Sequence, residues 1–166
     1  MELGPMLAEA LSETEESTEE LGEALGAVLV AGDVVLLMGE LGAGKTAFTR
    51  GIARGLGVAD RVASPTFVIV RQYQGRLPLA HADLYRLEEG DAFAIDMLEL
   101  GEPGSVTVIE WGDRSAGVFA ALEPLAVTFE ADGAHRRRLT FAGSAQRWGG
   151  RLASAGLLEG AHGAGA

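Results

Sequence analysis

Apolar and polar positions divide the chain into alternating helix-like and strand-like stretches. Val34-Val35-Leu36-Leu37-Met38 is an unbroken apolar run, the pattern of a strand buried on both faces. Phe48, Ile52 and Leu56 then recur at i, i+4 and i+8, which predicts a helix with one face on a core, stopped at Gly55-Leu56-Gly57. Upstream, Leu21, Leu25, Val28 and Leu29 keep helical spacing behind Ser17-Thr18-Glu19-Glu20, which reads as a capping box. That first helix is expected to end near Gly32, and Met1 to Glu16 to be a loose leader. Glu15, Glu16, Glu19 and Glu20 read as a solvated helix start that the dipole favours.

Beyond the second helix, Phe67 to Tyr73 and Leu77 to Ala82 read as strands around a turn at Gln74-Gly75-Arg76. Glu88 to Leu100 is amphipathic and predicts a helix, broken at Glu102-Pro103-Gly104. Ser105 to Trp111 is a β-branched strand pattern, and Leu125 to Glu130 with Arg137 to Phe141 read as a hairpin around Asp132-Gly133. The Ala/Gly-rich tail, 142–166, is expected to hold a short helix with Trp148 and Leu152 inward and then to be disordered.

With 166 residues, 48% hydrophobic and 22% charged, the chain reads as a single globular domain, 1–166. A formal net charge of −11 argues against nucleic-acid binding through the general surface. The absence of cysteine excludes disulfides and thiolate metal sites. No apolar run approaches ~18 residues, and the N-terminus has no basic region, so no membrane association and a cytoplasmic location are expected.

The chemistry centres on Gly39-Glu40-Leu41-Gly42-Ala43-Gly44-Lys45-Thr46, which fits the phosphate-binding pattern G-x-x-x-x-G-K-[ST]. Glycines let backbone N–H groups from Glu40 through Ala47 turn inward around a phosphate, and the helix that follows adds its positive end. Lys45 then serves the β- and γ-phosphates and the Thr46 hydroxyl ligates Mg²⁺. Lys45 is the only lysine; every other basic side chain, histidines aside, is an arginine. A compact ammonium suits a phosphate cradle better than a planar guanidinium.

Four further stretches carry candidate chemistry, most of their residues with two readings. Ser64-Pro65-Thr66-Phe67 is either a plain loop or a segment whose Ser64 and Thr66 hydroxyls sense the γ-phosphate. Asp83, at the end of a strand, is a site acid or the cap of the next helix, and His81 before it is a structural histidine or a site residue. Glu110 ends a strand as a Walker B acid does, which makes it a candidate Mg²⁺ ligand; Trp111 beside it lines the nucleotide site or only packs. Arg136, Arg137 and Arg138 form a solvated edge or an RNA contact.

Gly-Glu-Leu-Gly-Ala-Gly-Lys-Thr at 39–46, Ser-Pro-Thr-Phe at 64–67, His-Ala-Asp-Leu-Tyr-Arg at 81–86 and Ile-Glu-Trp at 109–111, in this order, resemble the TsaE/YjeE family. The likeness runs from about Thr18 to Trp111. It implies a three-layer α/β P-loop NTPase domain with a mainly parallel central sheet and a C-terminal β-hairpin. It also implies an ATPase of bacterial tRNA threonylcarbamoyladenosine biosynthesis, using ATP and Mg²⁺. Its implied partners are the threonylcarbamoyl transferase and that enzyme's non-catalytic paralogue, with tRNA reached through the complex. By the same resemblance Lys45, Glu110 and Asp83 are catalytic, Asp83 as the second acid needed for hydrolysis. Gly112 stands where the family usually has proline, and the tail also departs. The competing functions are a nucleotide-dependent binding module with negligible turnover and a small-molecule kinase. A GTPase is disfavoured because the chain has no asparagine for a guanine-reading loop.

Overall fold

A computed structural model describes residues 3–40, 42–63, 70–85, 96, 99–114 and 116–157. Seven strands form one sheet: β1 (Met6–Ser12), β2 (Val34–Met38), β3 (Val70–Tyr73), β4 (Leu79–Asp83), β5 (Val106–Glu110), β6 (Leu125–Ala131) and β7 (Arg137–Ala142). Their spatial order is β1-β7-β6-β2-β5-β4-β3. The four central strands run parallel, and both edges close with antiparallel pairs, β3 on β4 and β1 on β7. The expected C-terminal hairpin is β6–β7, turning through residues 132–136.

The apolar run of β2 divides between the two faces. Val35 and Leu37 join a core with Leu25 and Leu29, with Phe48, Ile52 and Leu56, and with Trp148 and Leu152. Val34 and Leu36 face a smaller cluster with Leu84, Ile109 and Phe119. Helix α1 (Glu15–Gly26) carries Leu25, α2 (Lys45–Gly55) carries Phe48 and Ile52, and the short α4 (Gly150–Ser154) carries Leu152, with Leu29, Leu56 and Trp148 just outside their ends; α3 (Ala116–Phe119) contributes Phe119 to the second set. Burial on both faces is why β2 shows no polar alternation.

Helices α1 and α2 touch backbone to backbone. A Cβ on Gly22, Gly26, Gly51 or Gly55 would lie 2.0–2.4 Å from a carbonyl oxygen of the facing helix. Only glycine permits this approach, and it sets the start of α1 beside the glycine-rich loop, with the Thr18 methyl 3.6 Å from where a Gly44 Cβ would sit. Arg54 pairs with Glu23 and Glu19, and Arg50 with Glu15, across the same contact. Glu15 and Glu19, expected to be merely solvated, are therefore ion-paired, although exposed pairs of this kind contribute little, ~0–1 kcal/mol each.

Three expectations need correction. Residues 6–12 of the expected loose leader form strand β1, paired along β7. Its inward positions are Ala8, Ala10 and Ser12, while Leu11 points out at 49% exposure, so the hydrophobic signal is small and partly inverted. The capping box lies three residues earlier than expected: the Thr14 hydroxyl accepts from the Ser17 N–H, and the Ser17 hydroxyl accepts from the Thr14 N–H. Serine serves there in place of glutamate. Finally, α1 ends at Gly26 rather than near Gly32, because the Asp33 carboxylate accepts the Val30 N–H and turns the chain into β2. The predicted helix over Glu88 to Leu100 lies almost wholly outside the described residues.

Candidate active site

Three strand ends converge at the carboxyl edge of the sheet. Register pairs Leu37 of β2 with Glu110 of β5, and Glu110 with Asp83 of β4. Leu79, Val106 and Val108 belong to the core under α2, so the strand period of two turns His81, Asp83 and Glu110 toward α2 as well. In open α/β sheets this edge is where ligands bind.

The loop leaves β2 and opens α2 as its sequence requires. Gly39 has φ +147° and presses on Phe129, whose carbonyl oxygen a Cβ would meet at 2.8 Å. Gly44 caps α2 at φ +104°, a left-handed conformation that a side chain would strain. Lys45 is only 4% exposed, and its ammonium donates to the carbonyls of Gly39 (2.5 Å) and Glu40 (2.8 Å). The same ammonium lies 4.3 Å from the centre of the Trp111 ring. Burial pushes the Lys45 pKa below the ordinary lysine value, and the charges of Glu110, Asp83 and Asp113 oppose that shift.

Thr46 and Glu110 meet. The threonine hydroxyl donates to the carboxylate at 3.1 and 3.3 Å, across 64 residues of sequence. His81 Nε2 lies 2.5 Å from the same carboxylate. An ionised carboxylate only accepts, so the imidazole proton sits on Nε2. His81 Nδ1 is then left buried with no partner among the described residues. Asp83 accepts the Tyr85 N–H at 3.0 Å and lines the same cleft, so it acts as a local turn acceptor while facing the site. Trp111 has φ +59°, unusual for a bulky residue, and stacks obliquely on Tyr85 with ring centres 5.0 Å apart. Gly112 follows against β2: a Cβ there would meet Leu36 Cβ at 2.6 Å, so any larger residue would require the strand or turn to shift.

A cleft of about 580 Å³ joins these groups. Gly42, Ala43, Gly44, Lys45, Thr46, Ala47, Asp83, Glu110 and Trp111 all line it. Glu40 contributes its backbone through the bond to Lys45. Leu41, Ser64, Thr66 and Arg86 lie outside the described residues. Sequence reasoning missed the part of the lining made by Ser12 to Glu15 and by Ala134, His135 and Arg137. It also left His81 undecided, although its spacing of two before Asp83 puts both on one face. Mg²⁺ fits the donors present: it takes one or two protein oxygens and completes its shell with phosphate and water. Thr46 and Glu110 supply such a pair, and no cluster of three or more His, Asp or Glu able to hold a metal occurs among the described residues.

A glycine-rich loop between a central parallel strand and a helix, with an acid on the adjacent strand end against its threonine, defines the P-loop class of α/β domain. Residues 12–139 match the family model for the threonylcarbamoyl adenosine biosynthesis protein TsaE, and the chain belongs to that family. The match extends past Thr18 and Trp111 to include Ser12 at the end of β1, all of β6 and the first half of β7. The tRNA threonylcarbamoyladenosine biosynthesis protein TsaE of Treponema pallidum is 48% identical over 90 residues, 54% of this chain and 67% of that protein. The Bacillus subtilis protein of the same name is 40% identical over 119 residues, 70% and 73% of the two chains. The crystal structure of Bacillus subtilus YdiB superposes with a TM-score of 0.72 at 30% identity, covering 93% of this chain and 97% of that one. The family's role is in threonylcarbamoyladenosine biosynthesis. No helix among the described residues is long and apolar enough to cross a membrane.

Proposed function

We propose that this protein is a Mg²⁺-dependent ATPase of the tRNA threonylcarbamoyladenosine machinery, working in complex with the threonylcarbamoyl transferase and its non-catalytic paralogue. The observation that carries the reading is the Thr46–Glu110 contact at the mouth of the loop. It brings two oxygen donors of a Mg²⁺ site together beside a buried lysine. Phosphoryl transfer to water needs positioning and charge neutralisation more than covalent chemistry. Lys45 neutralises the β- and γ-phosphates, exchanging its bonds to the Gly39 and Glu40 carbonyls for phosphate oxygens. Backbone N–H groups from Gly42 to Ala47 hold the rest of the phosphate chain. Glu110, fixed by His81, presents a carboxylate beside Thr46, and Asp83 orients the attacking water. Bound Mg²⁺ supplies the remaining positive charge on the transferred group.

The net charge of −11 supports association with a basic face of a protein partner, and such assembly weakens as salt rises. We infer a cytoplasmic site of action from the tRNA-modification role. The test is ATP turnover by the protein alone and with both partners, at low and raised salt. The reading expects slow turnover alone and acceleration on assembly, since a partner's arginine can add ~10³–10⁵-fold to such a reaction. Full-speed turnover alone, unchanged by the partners, contradicts a partner-gated ATPase, and an absence of phosphate release in every mixture makes the protein a binding module.

A further inference from the structure

Strand β1 closes the sheet on one side, and no described strand lies beyond it. In an antiparallel pair only alternate residues bond the neighbour, so half of its backbone N–H and C=O groups serve β7 and the other half face away. The outward half has no partner among the described residues. An open strand of seven residues is a template for another strand, which proteins blunt with lysine, proline, bulges or charge. Met6 to Ser12 holds no lysine, arginine or proline. Its one irregularity, a register shift between Met6 and Ala8, lies at the far end from Ser12. Its one charge, Glu9, is matched by Arg138 at 3.3 Å. Ala8, Ala10 and Ser12 are buried, whereas Leu11 is 49% and Met6 52% exposed.

Charge decides the occupant. Glu13, Glu15 and Glu16 follow Ser12 directly, all exposed. Glu15 pairs with Arg50, whereas Glu13 and Glu16 have no cation partner among the described residues. A second copy of the chain suits this edge badly. Full antiparallel overlap of two β1 strands sets Glu9 beside Glu9, and like charges directly opposite destabilise a pair. Each copy also brings a net charge of −11. A segment of another protein with basic residues beside the Ser12 end meets the acids there instead.

We propose that the β1 edge is a docking site for an extended, basic-flanked segment of a protein partner, which joins the sheet as a further strand and covers Leu11. The inference rests on the partner reading above and deepens it: backbone pairing at a sheet edge holds the partner, and charge selects it.

The test follows amide hydrogen exchange in the isotope-labelled full chain, alone and with the transferase–paralogue pair as the probe, in MgATP. In the free chain alternate β1 amides are expected to be protected by β7 and the others to exchange fast. On assembly the fast set should slow by about 10-fold or more, as amides that gain a strand partner do. Leu11→Lys is expected to weaken assembly by about 3- to 10-fold, the worth of covering the exposed half of a leucine, and to leave MgATP binding unchanged. Thermal unfolding establishes that the variant folds. Assembly without new protection across Met6–Ser12, or with wild-type affinity in the folded Leu11→Lys protein, would overturn the proposal. Protection that rises with protein concentration in the absence of partners would give the edge to a second copy and overturn it too. A wild-type chain that binds MgATP but neither partner removes the partner reading and this site with it, a result distinct from assembly that bypasses β1.

Discussion

Replacing His81 tests how the acid of the site is held. His81 is fully buried, and its Nε2–H donates to Glu110 at 2.5 Å. Losing one hydrogen bond to a charged group costs about 1.5–3 kcal/mol. Nδ1 works the other way: it is buried without a partner among the described residues, which costs about 1–3 kcal/mol. His81→Leu removes both terms, so they largely cancel and the variant is expected to fold with a stability change of no more than about 2 kcal/mol. The site does not benefit from that cancellation. Among the described residues Glu110 then retains only the Thr46 hydroxyl as a side-chain donor and can rotate away from the position beside it. Residues that orient a metal ligand typically cost about 10–100-fold in metal affinity or activity when lost. The assay is ATP turnover against Mg²⁺ concentration in the presence of both partners, with thermal unfolding run alongside. The Mg²⁺ midpoint is expected to rise by about that factor in His81→Leu. His81→Gln, whose amide can donate, should recover part of it. A folded His81→Leu protein with the wild-type Mg²⁺ curve would refute the positioning role and leave His81 a packing residue.

Three further outcomes are expected. Because burial lowers the Lys45 pKa, triphosphate affinity should fall on the alkaline side at a lower pH than an ordinary lysine would give, read by titration calorimetry across pH; without nucleotide the sign reverses, and Lys45's contribution to stability should rise with pH between its folded and unfolded pKa values. Asp83→Asn should leave MgATP binding largely intact and slow hydrolysis, separable by binding and single-turnover assays; wild-type turnover would reduce Asp83 to the acceptor for Tyr85. Gly51→Ala, which at an exposed helical site would gain up to ~1 kcal/mol, should instead destabilise by more than that, because its Cβ would lie 2.0 Å from the Glu19 carbonyl; denaturant unfolding measures it.

The phosphate loop was legible in sequence because its chemistry is contiguous: loop, lysine, threonine and helix face all occur within Gly39 to Leu56. Strands β2 and β5 were legible because burial on both faces leaves only apolar and β-branched residues. What escaped is what depends on partners distant in sequence. Strand β1 is held by pairing with β7, and its buried side uses Ala8, Ala10 and Ser12, which carry little hydrophobic signal. The capping box was misplaced because Thr14–Ser17 satisfies the same geometry without the glutamate that marks the motif. Arg137 could not be told from Arg136 and Arg138 in a run of three; only the positions of Asp132 and Glu9 separate them. The closeness of α1 and α2 was written in Gly22, Gly26, Gly51 and Gly55, yet glycine in a helical stretch reads locally as a weakness, and its use appears only when the facing backbone is known.

The most direct measurement is phosphate release from MgATP by the complete mixture of this protein, the transferase and its paralogue, comparing wild type with Thr46→Ala and Glu110→Gln. Both residues meet at one point, so both substitutions should depress turnover strongly while each variant stays folded and still assembles with its partners. Wild-type phosphate release by either folded variant, with contaminating ATPase excluded, would contradict the claim that the Thr46–Glu110 junction is where ATP is cleaved.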